Sequence, residues 1–182
     1  MPVQIGGQRD EPGFDQPLGF MCDCHGKIEH YLEMMLLVAE TAAGPLRDSH
    51  RHALETALAY FRTGGPQHTA DEEKSLFPRL RDSADPRLAT MPQLVSDLLA
   101  DHRQAAGQHA ELDELVSLWL HAGRLSPTKR QRLLELLRIL QAMYRKHISL
   151  EATCVFRAAG ECLTRKQLQE VGREMAARRG LG

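Results

Sequence analysis

The sequence predicts an all-α fold, an antiparallel up-down-up-down four-helix bundle with an additional C-terminal helix. Apolar residues recur at threes and fours along most of the chain, and no segment alternates with period two. The breaks between the long periodic stretches are short, which favours antiparallel neighbours. A third observation concerns chemistry: His68 stands four residues before Glu72, and His147 stands four before Glu151. On a helix, four residues make about one turn with about 6 Å of rise, so each pair presents an imidazole and a carboxylate on one face.

Residues 1–14 mix Gly, Pro and charge without periodicity and are expected to form a flexible N-terminal arm, leaving a single domain over 15–182. The first helix is read from about Pro17 to Ala43, with Leu18, Cys22, His25, Ile28, Leu32, Leu36 and Ala39 facing inward, and Gly44-Pro45 stops it. The second starts near Leu46 and carries Leu54, Leu58, Phe61, Gly65, His68, Glu72 and Leu76 on its stripe. That register survives Gly64-Gly65-Pro66, where proline deletes a backbone hydrogen bond, so a kink or brief break is expected there. Pro78 weakens the last turn, and a polar loop follows over 81–86. The third helix begins around Pro92, a favourable first-turn position, and runs to about His121. It places Val95, Leu98, Leu99, His102, Ala106, His109, Leu112 and Val116 on one side. Ser126-Pro127 reads as N-cap and first residue of the fourth helix, with Leu133, Leu137, Leu140, Tyr144, His147, Glu151 and Val155 inward. Thr164 and Gln167 form a capping box that opens a last helix over 164–179, ended by Gly180.

A chain of 182 residues that is 42% hydrophobic is long enough for one domain with a real core. A net charge of -1 gives no electrostatic case for nucleic acid, whose phosphates ask for a clearly basic surface. The start has no basic region followed by an apolar run, and no stretch approaches the roughly 18 apolar residues that a membrane span needs. A cytoplasmic location is expected, with no membrane partner. Cys22, Cys24, Cys154 and Cys162 are too few and too scattered for a disulfide scaffold, which fits a reducing compartment.

If the first and third helices run up and the second and fourth run down, His25, His68, His102 and His147 can share one layer. Glu72 and Glu151 then both lie about one turn below it. Carboxylates so placed suit bridging two cations, with imidazoles completing each ion from the sides. This mixture of nitrogen and oxygen donors suits iron, manganese or zinc.

The runs CHGKIEHYL, HTADEEKSLFPRL, LLADHRQ and YRKHISLE resemble the four motif segments of the hemerythrin superfamily, specifically the bacterial HHE cation-binding proteins. The likeness spans roughly Pro17 to Ala158 and is carried mainly by the paired H-x-x-x-E segments. It implies that the metal ligands are His25, His68, Glu72, His102, His147 and Glu151. It also implies a non-haem di-iron centre, with zinc or manganese as substitutes. Oxygen-carrying hemerythrins place a second histidine one turn from the helix-three ligand, whereas the flanking turns here hold Leu98 and Ala106. One iron is then short of a donor, which counts against simple reversible oxygen carriage.

Other residues near the stripes have plainer readings. His109 sits about 10 Å along the axis from His102 and is expected to be a core or rim histidine. His30, His50, His52 and His121 fall off the stripes and read as solvated. Glu29 is open to two readings, the missing donor or a flank carboxylate. Glu73 is rotated by about 100° from Glu72 and is better placed to orient a neighbour than to bridge. Tyr144 reads as a buried hydroxyl satisfying a core carbonyl, with a hydrogen bond into the site as the other reading, and Cys22 as an inward, inert thiol. Arg165, Lys166, Arg173, Arg178 and Arg179 read as a solvated basic face of the last helix.

The expected function is to bind or sense dioxygen, nitric oxide or redox state rather than to turn over a metabolite. A sensor of this kind would signal through a separate protein partner. The alternative is iron storage or a peroxide-consuming di-iron oxidase. Ferritin-like oxidases, however, use Glu-x-x-His pairs, opposite in order and shorter than the pairs here. A metal-free interaction module is a third reading, separated from both by metal analysis.

Overall fold

The computed structural model describes residues 13–42 and 44–181, and every regular element among them is helical. Helix α1 (Pro17–Thr41) is followed by α2 (Asp48–Asp71), a π-helical turn (Glu72–Leu76) and α3 (Phe77–Arg81), which run on as one rod. A 3₁₀ turn (Pro86–Leu88) leads into α4 (Met91–Ala122). A second composite rod joins α5 (Pro127–Leu150), a π-helical turn (Glu151–Phe156) and α6 (Arg157–Cys162), and α7 (Arg165–Arg178) closes the chain. Rod α1 packs on α2 and α5, and α4 packs on the same two, which is the ring of a four-helix bundle; α7 lies outside it against α1 and α2. No helix among the described residues is long and apolar enough to cross a membrane.

The ends form where the sequence placed them. The Ser126 hydroxyl accepts from the Lys129 amide at the start of α5, and Thr164 and Gln167 form the reciprocal capping box of α7. Gly123 and Gly180 take positive φ, 70° and 71°, at the ends of α4 and α7. Residues 1–12 of the expected arm and Ala43 lie outside the described residues. Phe14, at the arm's end, packs its ring 4.8 Å from that of Phe20.

The single helix expected across Gly64-Gly65-Pro66 is present, and it runs on without a break, because α2 continues through Pro66 to Asp71, while two other expectations need correction. Proline removes its own amide and crowds the carbonyl four residues back, but the turn before it is pinned: Tyr60 donates to the Cys24 carbonyl at 3.1 Å, and the Phe61 ring lies 4.7 Å from His109. Cys22 is exposed, whereas Cys24 is buried. At about 100° per residue, Met21, Cys24, Ile28, Leu32, Met35 and Ala39 fill one arc with His25 at its edge, and Cys22 falls about 60° beyond that edge. Finally, Arg178 and Arg179 do not face solvent but reach back to the fully buried Asp71. Of the histidines read as solvated, His30, His52 and His121 are exposed while His50 is half-buried.

Buried apolar residues fall into two clusters. One contains Ile28, Leu32, Leu54, Leu112, Val116 and Leu133; the other contains Met21, Phe77, Val95, Leu98 and Val155. On every rod the residues of the two clusters flank the predicted ligand positions. A polar layer therefore crosses the bundle between two dry cores.

Candidate metal centre

The four imidazoles and two carboxylates singled out by spacing converge in that layer. His25, His68, Glu72, His147 and Glu151 are buried, and His102 is nearly so. Two overlapping donor sets form, one of His25, His68, Glu72 and Glu151, the other of Glu72, His102, His147 and Glu151. Within each set one atom per residue lies within 4.8 Å of the others.

Both carboxylates belong to both sets, and each divides its two oxygens between them. Glu72 Oε1 lies 3.5 Å from His25 Nε2 and 3.2 Å from His68 Nε2, while Oε2 lies 3.5 Å from His102 Nε2. Glu151 Oε2 lies 3.0 Å from His25 Nε2, while Oε1 lies 3.1 Å from His147 Nε2. The two sets are equal, with two imidazoles each and a share of both carboxylates. The deficit expected at one ion alone is therefore not visible in the protein donors.

Each glutamate opens a π-helical turn. The Phe77 amide donates to the Glu72 carbonyl five residues back, so the rod widens where the bridging side chain leaves it. Aromatic rings hold two of the imidazoles in place: Phe156 stacks on His25 at 5.3 Å and Phe77 on His102 at 6.0 Å.

A layer of acids stands behind the ring nitrogens. His102 Nδ1 is 2.9 Å from Glu73 Oε1, and His147 Nδ1 is 3.3 Å from Asp101 Oδ2. A proton on each Nδ1, shared with its carboxylate, leaves the Nε2 lone pairs aimed into the layer. Those two Nε2 atoms lie 3.1 Å apart. Glu73 thus orients a neighbour, as its rotation predicted. Asp101 differs from Glu73 in standing beside no paired imidazole and carboxylate on its own helix, so nothing in its segment marks it.

Buried charge in this layer is expensive. Burial and the like charge of Glu151 push Glu72 up to about 8. Glu151 is held low: burial opposes its charge, but His147 and His25 outweigh it. Burial likewise opposes a charged His25, yet Glu151 and Glu72 raise it to about 9. His68 is lowered to about 3 by burial and by His25. All four carboxylate oxygens of Glu72 and Glu151 are buried without a hydrogen-bond partner, as is His25 Nε2. Lone pairs that converge without donors to meet them are the pattern a cation satisfies, so these residues fit a metal.

Residues 16–159 match the model of the Hemerythrin HHE cation binding domain. The chain belongs to this family. A relative of this HHE chain is an "Uncharacterized protein" from Haemophilus influenzae, 26% identical over 176 residues, which cover 91% of each chain. The family match spans α1 to α6 and stops before α7, so the C-terminal helix and its contacts lie beyond the family domain.

Several residues stand outside the two donor sets. Glu29 is exposed and lines a separate cleft of about 220 Å³ with Leu32, Glu33, Gln141, Tyr144 and Arg145. On the helical wheel it falls about 40° past His25, beyond the buried arc. His109 is held neutral, its pKa lowered to about 4 by burial, and its Nε2 lies 2.9 Å from the Tyr144 hydroxyl.

Proposed function

We propose that this HHE chain holds a non-haem di-iron centre, one ion in each donor set. We further propose that it binds or senses dioxygen, nitric oxide or redox state. One observation carries the reading: two fully buried carboxylates divide their oxygens between two equal pairs of imidazoles, which face them without an aligned hydrogen bond to any of the four oxygens. Iron in such a set of nitrogen and oxygen donors supplies a ferrous–ferric couple and positions open to small diatomic ligands.

The chain's own residues do the rest. Glu73 and Asp101 fix the tautomers and ring angles of His102 and His147, Phe77 and Phe156 hold imidazoles in plane, and the two dry cores keep the layer in place. Four protein donors per set leave room for an exogenous ligand on either side. No metabolite-sized reaction partner is needed for this role, and a signal would pass to a separate partner protein.

Iron analysis after anaerobic loading tests the reading. The wild-type chain should carry about two irons. Glu72→Ala or Glu151→Ala should lose more than half of them, because each carboxylate serves both sets, whereas His109→Phe should lose none. Metal content near zero in the wild type would remove the proposal.

A further inference from the structure

Beside the histidine layer lies a cavity of about 440 Å³, bounded by α1, α2, α4 and α5. Its lining includes His25, His68, His102 and His147, together with Phe61, His109 and Tyr144. A water molecule's share of liquid volume is about 30 Å³, so the space holds on the order of ten or more such units. A diatomic gas would leave most of it empty.

The sequence keeps this space open. Gly65, three residues before His68, stands where the inward stripe of α2 would otherwise carry a bulky side chain. A Cβ built there would meet nothing closer than 3.9 Å. Ala105 and Ala106, three and four residues after His102, keep the facing wall of α4 short. Small residues on two helices at one height make a built void. Pro66, Lys74 and Ala106 are exposed and line the same cavity, so its mouth lies between α2 and α4 and opens without unfolding.

The walls are mixed in a useful way. Ile28, Phe61, Ala105 and Ile148 offer apolar surface, Thr69, Glu73 and Lys74 add polar groups, and Tyr144 and His109 form a hydrogen-bonded pair one to two turns from the layer. With His109 neutral, the tyrosine oxygen keeps a lone pair free in either imidazole tautomer. A guest that fits carries a largely apolar body of at least one ring and a hydroxyl to donate to that oxygen. Pockets in this size range are the ordinary seat of small organic ligands.

We propose that the cavity is a binding site for a small aromatic alcohol, seated beside the histidine layer with its hydroxyl on Tyr144. The cavity shares four imidazoles with the proposed metal centre, so the proposal adds a guest to that same site, and it is tested with and without metal so that the two readings fail separately.

Phenol is the probe, titrated into metal-free and iron-loaded protein by calorimetry with ligand-observed NMR as the second readout. One saturable site per chain is expected, with a Kd of about 1 mM or tighter. Tyr144→Phe should weaken it roughly fivefold through one lost hydrogen bond. Gly65→Leu and Ala106→Leu should each weaken it at least about tenfold by filling the space. Ala106 is exposed, so its variant keeps the test open if Gly65→Leu does not fold. Absence of saturable binding up to about 10 mM, or binding undiminished in Ala106→Leu, would overturn the proposal. Iron loading without phenol binding removes this proposal alone; phenol binding without iron loading supports it and removes the di-iron reading alone.

Discussion

At Glu72 and Glu151 burial is complete and the carboxylate oxygens face imidazole nitrogens without an aligned hydrogen bond, a combination that a shared proton or a cation stabilises. His109 shows the opposite solution, a histidine kept neutral and given one partner. Its pKa, lowered to about 4 by burial, sets a sign for acid stability. In the unfolded chain a histidine titrates near 6.5, so between about pH 6.5 and 4 the unfolded state binds the extra proton. The stability His109 contributes is full above about pH 6.5 and is lost as pH falls toward 4, with a slope up to ~1.4 kcal/mol per pH unit. Denaturant melts of metal-free protein should show a shallower acid loss in His109→Phe; equal slopes would contradict this. The six residues of the layer were legible because an imidazole and a carboxylate four apart report a shared face without any tertiary knowledge. Asp101 and Glu29 were not legible, because the first, unlike Glu73, stands beside no paired ligand motif on its own helix, and the second turns on about 40° of wheel angle at the edge of a buried arc.

At the scale of the element, periodicity read the long rods well and the joints between them poorly. The two π-helical turns begin at the bridging glutamates, and an extra backbone residue per turn leaves no mark in a four-residue spacing. The last helix was legible from its capping box, but its attachment was not, since arginines at a helix end look the same in solvent and in an ion pair. In the fold, Arg178 Nη1 lies 2.6 Å from Asp71 Oδ1 and Arg179 Nη2 lies 2.7 Å from Asp71 Oδ2, while Arg178 also donates to Ser75. The Arg179 guanidinium stands 4.9 Å from the Phe20 ring. This clamp ties α7 to the residue just before Glu72. Asp71→Ala leaves two partly buried arginines without their counter-charge and should cost about 3–5 kcal/mol in urea denaturation. A loss below about 1 kcal/mol would mean that Val171, Met175 and the Arg79–Glu174 ion pair hold α7 without the clamp.

For the whole molecule, two dry cores separated by a polar layer mean that the middle of the bundle is its weakest section without a cation. An ion bound only by the folded chain adds stability by mass action, and its removal returns facing charges to a low-dielectric interior. Metal-free protein should therefore melt below the loaded form at neutral pH, and coincident melting curves would argue against a buried site. The bundle itself was legible from period and loop length, and the polar layer from four histidines at one height. The cavity beside the layer was not, because a void is recorded only as small residues, Gly65, Ala105 and Ala106, whose meaning depends on what faces them. The central claim is that Glu72 and Glu151 together hold two ions in one chain. Ferrous iron titrated anaerobically into metal-free protein, then exposed to air and examined by electron paramagnetic resonance, tests it most directly. The account predicts saturation at about two irons per chain and a spin-coupled ferric pair with no signal; saturation at about one, with the signal of an isolated ferric ion, would contradict it.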